Sequence, residues 1–420
     1  MGRSAAFIIL RVFIPFMLAY FISELFRTVN AIVGPEIRRD LDLSPEELGF
    51  LTSIFLITVA SVQVFVGIFL DRHGPRRTVA CLLVIGAAGS ALFSVGVLEA
   101  MLVGRFLIGL GMAGCWTAAF KVNAQWWPLE RLALANGAII GFAGLGALAS
   151  TLPTQILLEW MTWNEVFLAV ALLTLATAVL LWIVAPEHPD DMAGGERQSL
   201  FREFKEFGTI MRNPVFLVVG PASIVCQGVW LSNQGLWAGV WLREVNGLSS
   251  VVAATFLFVF AASVIVGNLV IGFLTDLAQR KGVSLLSTMV LVTSLFVGVQ
   301  IVILLNLFGG ALALWVAFGL LVAGPIFAYA LISRAVAPGL SGRAVSLLNL
   351  FATLAGFFIQ YGAGAVIELW QPDAAGIYPV AAHQTAFGIV VGVQLLAAAW
   401  MLATMGGKVR NSLEYSGASD

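Results

Sequence analysis

The chain has 420 residues, of which 60% are hydrophobic and only 11% charged, with a formal net charge of −1. Soluble domains carry about 25% charged residues, so this composition excludes a water-compatible surface, and the near-neutral balance gives no general attraction to nucleic acid. The class is an all-α integral membrane protein, its 43 Gly and 12 Trp suited to small-residue helix packing and to aromatic anchoring at the interfaces.

A crossing helix needs about 20 mostly apolar residues. Twelve such runs follow in order, at roughly 7–30, 48–70, 78–97, 100–124, 133–157, 164–185, 214–240, 250–275, 283–306, 308–333, 344–369 and 380–405. The first is read as a retained span, because Arg11 interrupts it and no small-residue cleavage site follows a short core. Hydrophilic stretches lie between the first two spans, in the middle of the chain and after Gly406. The expected organisation is therefore a six-helix bundle over 1–186, a cytoplasmic linker over 187–213, a second six-helix bundle over 214–405, and a cytoplasmic tail over 406–420. With the N-terminus inside, sixteen Lys and Arg fall on the cytoplasmic side against Arg38, Arg39 and Arg243 outside. That bias puts both termini and the linker in the cytoplasm.

Within the first span, Tyr20, Glu24 and Arg27 share one helical face. The turn after the second span reads GIFLDRHGPRR, residues 67–77, and gathers Asp71, Arg72, His73, Arg76 and Arg77 around Gly74, with Gly67 one turn before Asp71. In the fourth span Arg105, Met112, Trp116 and Asn123 share a face, and Lys121 sits on the other side near the cytoplasmic end, where snorkelling to the interface is the expected reading. Helix five carries Gly137, Gly141 and Gly144 on one side, read as close helix packing. The seventh span offers Gln227, Trp230 and Gln234 on one face, and the eleventh Asn349, Gln360 and Tyr361. GFLTD, 272–276, echoes GIFLD with Asp276 in place of Asp71, and 343–362 echoes 131–150. Two echoes at nearly one offset indicate parallel six-helix halves.

The pattern Gly67-xxx-Asp71-Arg72-x-Gly74-x-Arg76-Arg77 resembles the signature between helices two and three of the major facilitator superfamily. Pro75 departs from it, standing where a basic residue is usual. RFLIGLGMA at 105–113 resembles that superfamily's fourth-helix motif, and WWPLERLALANG at 126–137 its turn between helices four and five. The resemblance covers the whole chain. It implies the major facilitator fold, twelve helices in two pseudo-symmetric bundles, with alternating access driven by a gradient and a monomer as the usual state. It also implies a gating role for Gly67, Asp71, Arg72, Gly74, Arg76, Arg77 and Asp276, as a charged latch between the halves; plain positive-inside topology is the alternative.

Charge inside a bilayer is expensive, so ionisable groups in spans mark function. The charged residues read as lying inside the spans are Glu24, Arg27, Arg105 and Lys121, all in the first half; Arg11, Glu165 and Glu368 fall toward the ends of their runs. Glu24 lies roughly 8 Å beyond the middle of its helix at ~1.5 Å per residue, and Arg105 reaches a similar level. The expectation is a Glu24–Arg105 pair flanked by Arg27, read either as a structural tie or as a working site. As a working site, two arginines against one acid favour an organic anion, since the guanidinium fork fits carboxylate or phosphate. Anion binding to an arginine would release Glu24 to accept a proton. Tyr20, Trp116, Gln227, Trp230 and Gln234 are the further candidate substrate contacts.

The function expected is proton-coupled transport of a small organic anion, a carboxylate, across the cell's inner membrane, by symport. An exporter of drugs, metabolites or metal chelators is the alternative. The three cysteines and three histidines show no metal-ligand or nucleophile spacing, and no nucleotide motif appears. No enzyme, metal or cofactor is expected. The partners are a small anionic molecule, protons and the lipid bilayer.

Overall fold

Residues 5–188, 200–308, 310–374 and 376–405 are described by the computed structural model, and no strand occurs among them. Arg3, Arg197 and the tail 406–420 with Lys408 and Arg410 lie outside these residues, as does the middle of the 187–213 linker. The helices in chain order are α1 Ala6–Thr28, α2 Asn30–Leu41, α3 Pro45–Phe93, α4 Leu98–Trp126, α5 Glu130–Leu157, α6 Trp163–Val184, α7 Leu200–Met211, α8 Pro214–Val245, α9 Ser250–Arg280, α10 Leu285–Leu304, α11 Leu312–Ala335, α12 Ser341–Ile367 and α13 Val380–Thr404. All except α2 and α7 are long and apolar enough to cross a membrane, which makes eleven among the described residues.

Eleven runs nevertheless give twelve crossings. The 49 residues of α3 would extend roughly 70 Å as one helix, more than twice the ~30 Å hydrocarbon core. The break falls at Gly74, whose φ of 75° and ψ of 159° leave the helical region; a side chain at that φ would be strained. Pro75 follows at once, well placed at the start of a helix because its missing N–H is no loss there. The expected loop between spans two and three is thus reduced to one non-helical residue.

Two other hydrophilic stretches fold more than their polarity suggests. The segment after α1 forms α2, which ends where Asp42 turns left-handed at φ 51°. Ser44 then caps α3 in a reciprocal box with Glu47. In the linker, α7 is held by an ion pair from Glu206 to Arg343 at the start of α12 and packs Phe207 on the apolar cluster there.

The chain divides into two compact units, Met1–Arg197 with Ser250–Thr255, and Gln198–Ser249 with Phe256–Asp420. In the first unit α4 lies against the second half of α3 through glycines. A Cβ on Gly111 would stand 2.5 Å from the Gly86 backbone, and one on Gly104 2.7 Å from the Gly89 carbonyl. Gly104, just before RFLIGLGMA, and Gly111 within it therefore allow backbone proximity, and Gly109 of that motif does the same against Phe55 and Thr58. In the second unit Gly228 of α8 meets the α12 backbone at Ala355 and Gly356.

Candidate functional site

The polar core of the first unit is built on α1. Contact with α5 recurs every helical turn along both helices. Phe21 meets Phe142 at 5.7 Å between ring centroids, Gly146 meets the Phe21 carbonyl and the Glu24 Cβ, and the Thr28 and Ser150 hydroxyls bond at 2.6 Å. A Cβ on Gly146 would lie 2.1 Å from the Phe21 carbonyl oxygen, whereas Gly137 and Gly141 have nothing within 4 Å. The close contact on helix five is thus made by Gly146 and not by Gly137 or Gly141 of the expected stripe.

Glu24 is buried and forms its ion pair with Arg27, one turn along the same helix. The expected Glu24–Arg105 pair is not formed. Arg105 instead donates from Nη1 to the Phe26 carbonyl at 3.1 Å and lies over the Phe55 ring at 5.0 Å from its centroid. It is 1% exposed, and its Nε has no hydrogen-bond partner. The reason is geometric. An i,i+3 pair on one helix closes without crossing an interface, while the Phe55 face and a backbone carbonyl offer Arg105 a cation–π and hydrogen-bond site of its own. Arg105 therefore ties α4 to α1 and α3 and fixes the turn that carries Arg27. Tyr20 and Arg27 are half-buried, and so is Trp116, which meets Phe120 edge-on at 5.6 Å.

The 67–77 cluster engages the first unit itself. Lys121 donates to Asp71 at 2.8 Å and to the Leu70 carbonyl at 2.7 Å, so it binds the end of a neighbouring helix rather than snorkelling alone. Arg76 donates from Nη2 to the Trp182 carbonyl at 2.6 Å, and Arg77 from Nε to Glu187 at 2.7 Å. Arg76 thus satisfies an acceptor in the last turn of α6, where backbone carbonyls lack helical partners and positive charge is favoured. Arg72 and Asp276 are exposed. Gly67 has open space around its missing Cβ, so it makes no close backbone approach.

In the second unit Gln227 sits in a chain of neutral groups. Its Nε2 donates to Ser223 at 2.8 Å, and its Oε1 accepts from the Tyr329 hydroxyl at 3.1 Å. Ser223 passes the chain on to the Pro325 carbonyl at 2.7 Å. Tyr329 and Ser223 had no place in the sequence reading, although Tyr329 is the one tyrosine of its span. Trp230 is half-buried, and Gln234 is buried with its Oε1 unpartnered. The expectation that the second half holds no ionisable group in its spans is corrected. Helix α8 reaches Val245 through two wide π turns, 233–237 and 241–245, and so carries Glu244 to within 3.1 Å of the buried His383 on α13.

The family model of the Major Facilitator Superfamily matches residues 16–360, and the chain belongs to that family. Among curated relatives, "Probable sulfoacetate transporter SauU" of Cupriavidus necator is 24% identical over 63% of this chain. The chain spans 64% of that relative's length, just under two thirds. "Probable galactarate/D-glucarate transporter GudP" of Escherichia coli is 22% identical over 81% of this chain and 83% of its own. Of solved structures, a bacterial homolog to the human lysosomal transporter Spinster superposes with a TM-score of 0.79 at 18% identity, covering 99% of both chains. The D-xylose–proton symporter gives 0.72 at 17% identity, covering 94% of this chain and 97% of its own. The structural likeness establishes the fold.

Proposed function

We propose that this protein is a secondary transporter, working by alternating access, that couples a small organic carboxylate to protons. The observation that carries the reading is the Glu24–Arg27 ion pair, a buried carboxylate and a half-buried guanidinium closed within one turn of a membrane helix. The buried carboxylate stays charged only while its partner is present; an incoming carboxylate that takes the Arg27 fork leaves Glu24 an uncompensated charge. Protonating Glu24 removes that charge. Anion binding and proton binding thus become one event, and neither ligand alone relieves the site. Arg105 acts by holding the α1 backbone in place. The relatives support an anionic cargo, since sulfoacetate and glucarate are both acids. The 16-to-3 distribution of basic residues supports an inner-membrane protein with both termini in the cytoplasm.

The 67–77 cluster and Asp276 are assigned to gating, with Lys121–Asp71 and Arg76–Glu187 as contacts made within the first unit. Gln227, Trp230, Gln234 and Tyr329 are assigned to the uncharged part of the cargo.

The test is a thermal-shift screen of purified protein against matched anionic, neutral and cationic metabolites, with wild type beside Arg27→Gln. Carboxylates stabilising wild type and not the variant support the reading. Stabilisation of both by cations or neutral amphiphiles overturns it in favour of export, a reading favoured by relatives such as multidrug resistance protein MdtL of Escherichia coli, 29% identical over 41% of this chain.

A further inference from the structure

We propose that His383 and Glu244, with the cavity beside them, form a proton-binding site in the second unit, separate from Glu24. The pair is a hydrogen bond of 3.1 Å between Nε2 and Oε2, with the imidazole 3% and the carboxylate side chain 15% exposed. With Glu244 ionised, Nε2 must carry the hydrogen, because a carboxylate only accepts. A proton gained by the ring then sits on Nδ1 and converts a neutral–anion hydrogen bond into an ion pair. Histidine is the side chain whose charge changes most readily near neutral pH, and a buried carboxylate is the partner that stabilises the cation.

The surroundings have the features of a place where a proton is delivered and kept. A cavity of about 40 Å³ adjoins the pair, lined by Ser232, Asn233, Trp237, Trp241, His383 and Phe387 among others. That volume holds roughly two or three waters. Ser232 is 1% exposed and its hydroxyl has no hydrogen-bond partner, so a water in the cavity has a polar group to bind besides the imidazole. Trp241 packs edge-on against Phe387 at 5.5 Å and closes the apolar wall.

The same cavity lies along both wide turns of α8. Such turns are rare and concentrate at functional positions. The pair ties the second of them to the start of α13, so a proton on His383 strengthens the contact that holds α8 at that end. Gln227, Trp230 and Gln234 are on the same helix. Protonation here therefore acts on the helix that bears the neutral candidate contacts.

In the pair His383 is buried and Glu244 half-buried, and other ionisable groups lie on the elements packed around it. On α8 they are Cys226, bonded to Gln394, and Arg243. Helix α10 brings none. Helix α12 brings Tyr361 and, at its start, Arg343, which binds Glu206. Helix α11, which contributes Trp315 to the cavity, brings Tyr329 and Arg334. Glu368, Asp373 and the buried Tyr378 follow on the segment between α12 and α13.

The test needs no substrate, so its failure is distinct from failure of the anion reading. The chain has three histidines, and imidazole ¹⁵N spectra of the full-length protein in nanodiscs resolve His383 as the signal lost in His383→Gln. The expected result is a reversible change of that signal with pH, over the range in which the protein stays folded, with a midpoint displaced in Glu244→Gln. Should Glu244→Gln not fold, Glu244→Asp retracts the carboxylate by one methylene and must also displace the midpoint. A His383 signal that stays constant through this range in wild type, or a midpoint indifferent to the Glu244 variant, overturns the proposal.

Discussion

The two units solve the problem of polarity inside a membrane in opposite ways. The first uses full charges, Glu24, Arg27 and Arg105, pressed against glycine and aromatic surfaces. The second uses neutral groups, Ser223, Gln227 and Tyr329, in a relay that ends on a backbone carbonyl, and sets Glu244 against His383 at the end of the same helix. Charged groups in a low-dielectric interior respond steeply to the loss or gain of one partner; neutral relays respond weakly. On the reading proposed above, the first unit senses the charge of a ligand, and the second its shape and hydrogen bonding.

Changes in the charged core should produce the largest effects. Gly146→Val drives a side chain into the Phe21 carbonyl, and overpacking of this kind costs about 1–3 kcal/mol or more. The variant is expected to lose its folded peak in size-exclusion chromatography, whereas Gly141→Val, with open space around it, keeps it. Arg105→Met removes the Phe26 hydrogen bond and the Phe55 contact. It should lower the Tm clearly while retaining the anion-dependent thermal shift; Arg27→Gln, which leaves Glu24 without its ion-pair partner, should lose that shift. If both arginines lose the shift equally, Arg105 contacts the anion and its assignment as a positioning residue is wrong.

Smaller effects are expected in the neutral relay. Tyr329→Phe deletes one hydrogen bond to Gln227, for about 1 kcal/mol of stability, and should leave proton coupling intact when counterflow is followed with a pH dye. The smallest belong to the exposed arginine Arg77, whose pairing with Glu187 contributes below about 1 kcal/mol. Arg77→Ala should therefore leave Tm nearly unchanged while altering transport rate.

Much of this contrast is legible in sequence. Apolar run length gives the twelve crossings, and the 67–77 motif gives the family, because both depend on local composition. Glu24 and Arg27 stand out for the same reason. Their pairing with each other does not, because relative depth along two helices cannot say that a phenyl face and a carbonyl await Arg105. The second unit's charged pair is hidden for a different reason. A helix ending near 240 leaves Glu244 in a loop, whereas α8 runs on to Val245 through two wide turns that break the 3.6-residue period, and so sets Glu244 beside His383. Gly146 rather than Gly141 as the close contact likewise depends on which face α5 turns to α1.

The central claim is that one ligand anion displaces Glu24 from Arg27 and that Glu24 then takes a proton. The most direct measurement is proton uptake by the purified protein in weakly buffered solution on addition of a stabilising carboxylate, for wild type and Glu24→Gln. The account predicts that wild type takes up a proton on binding and that Glu24→Gln binds the same carboxylate with no uptake. Equal uptake by both proteins would contradict it.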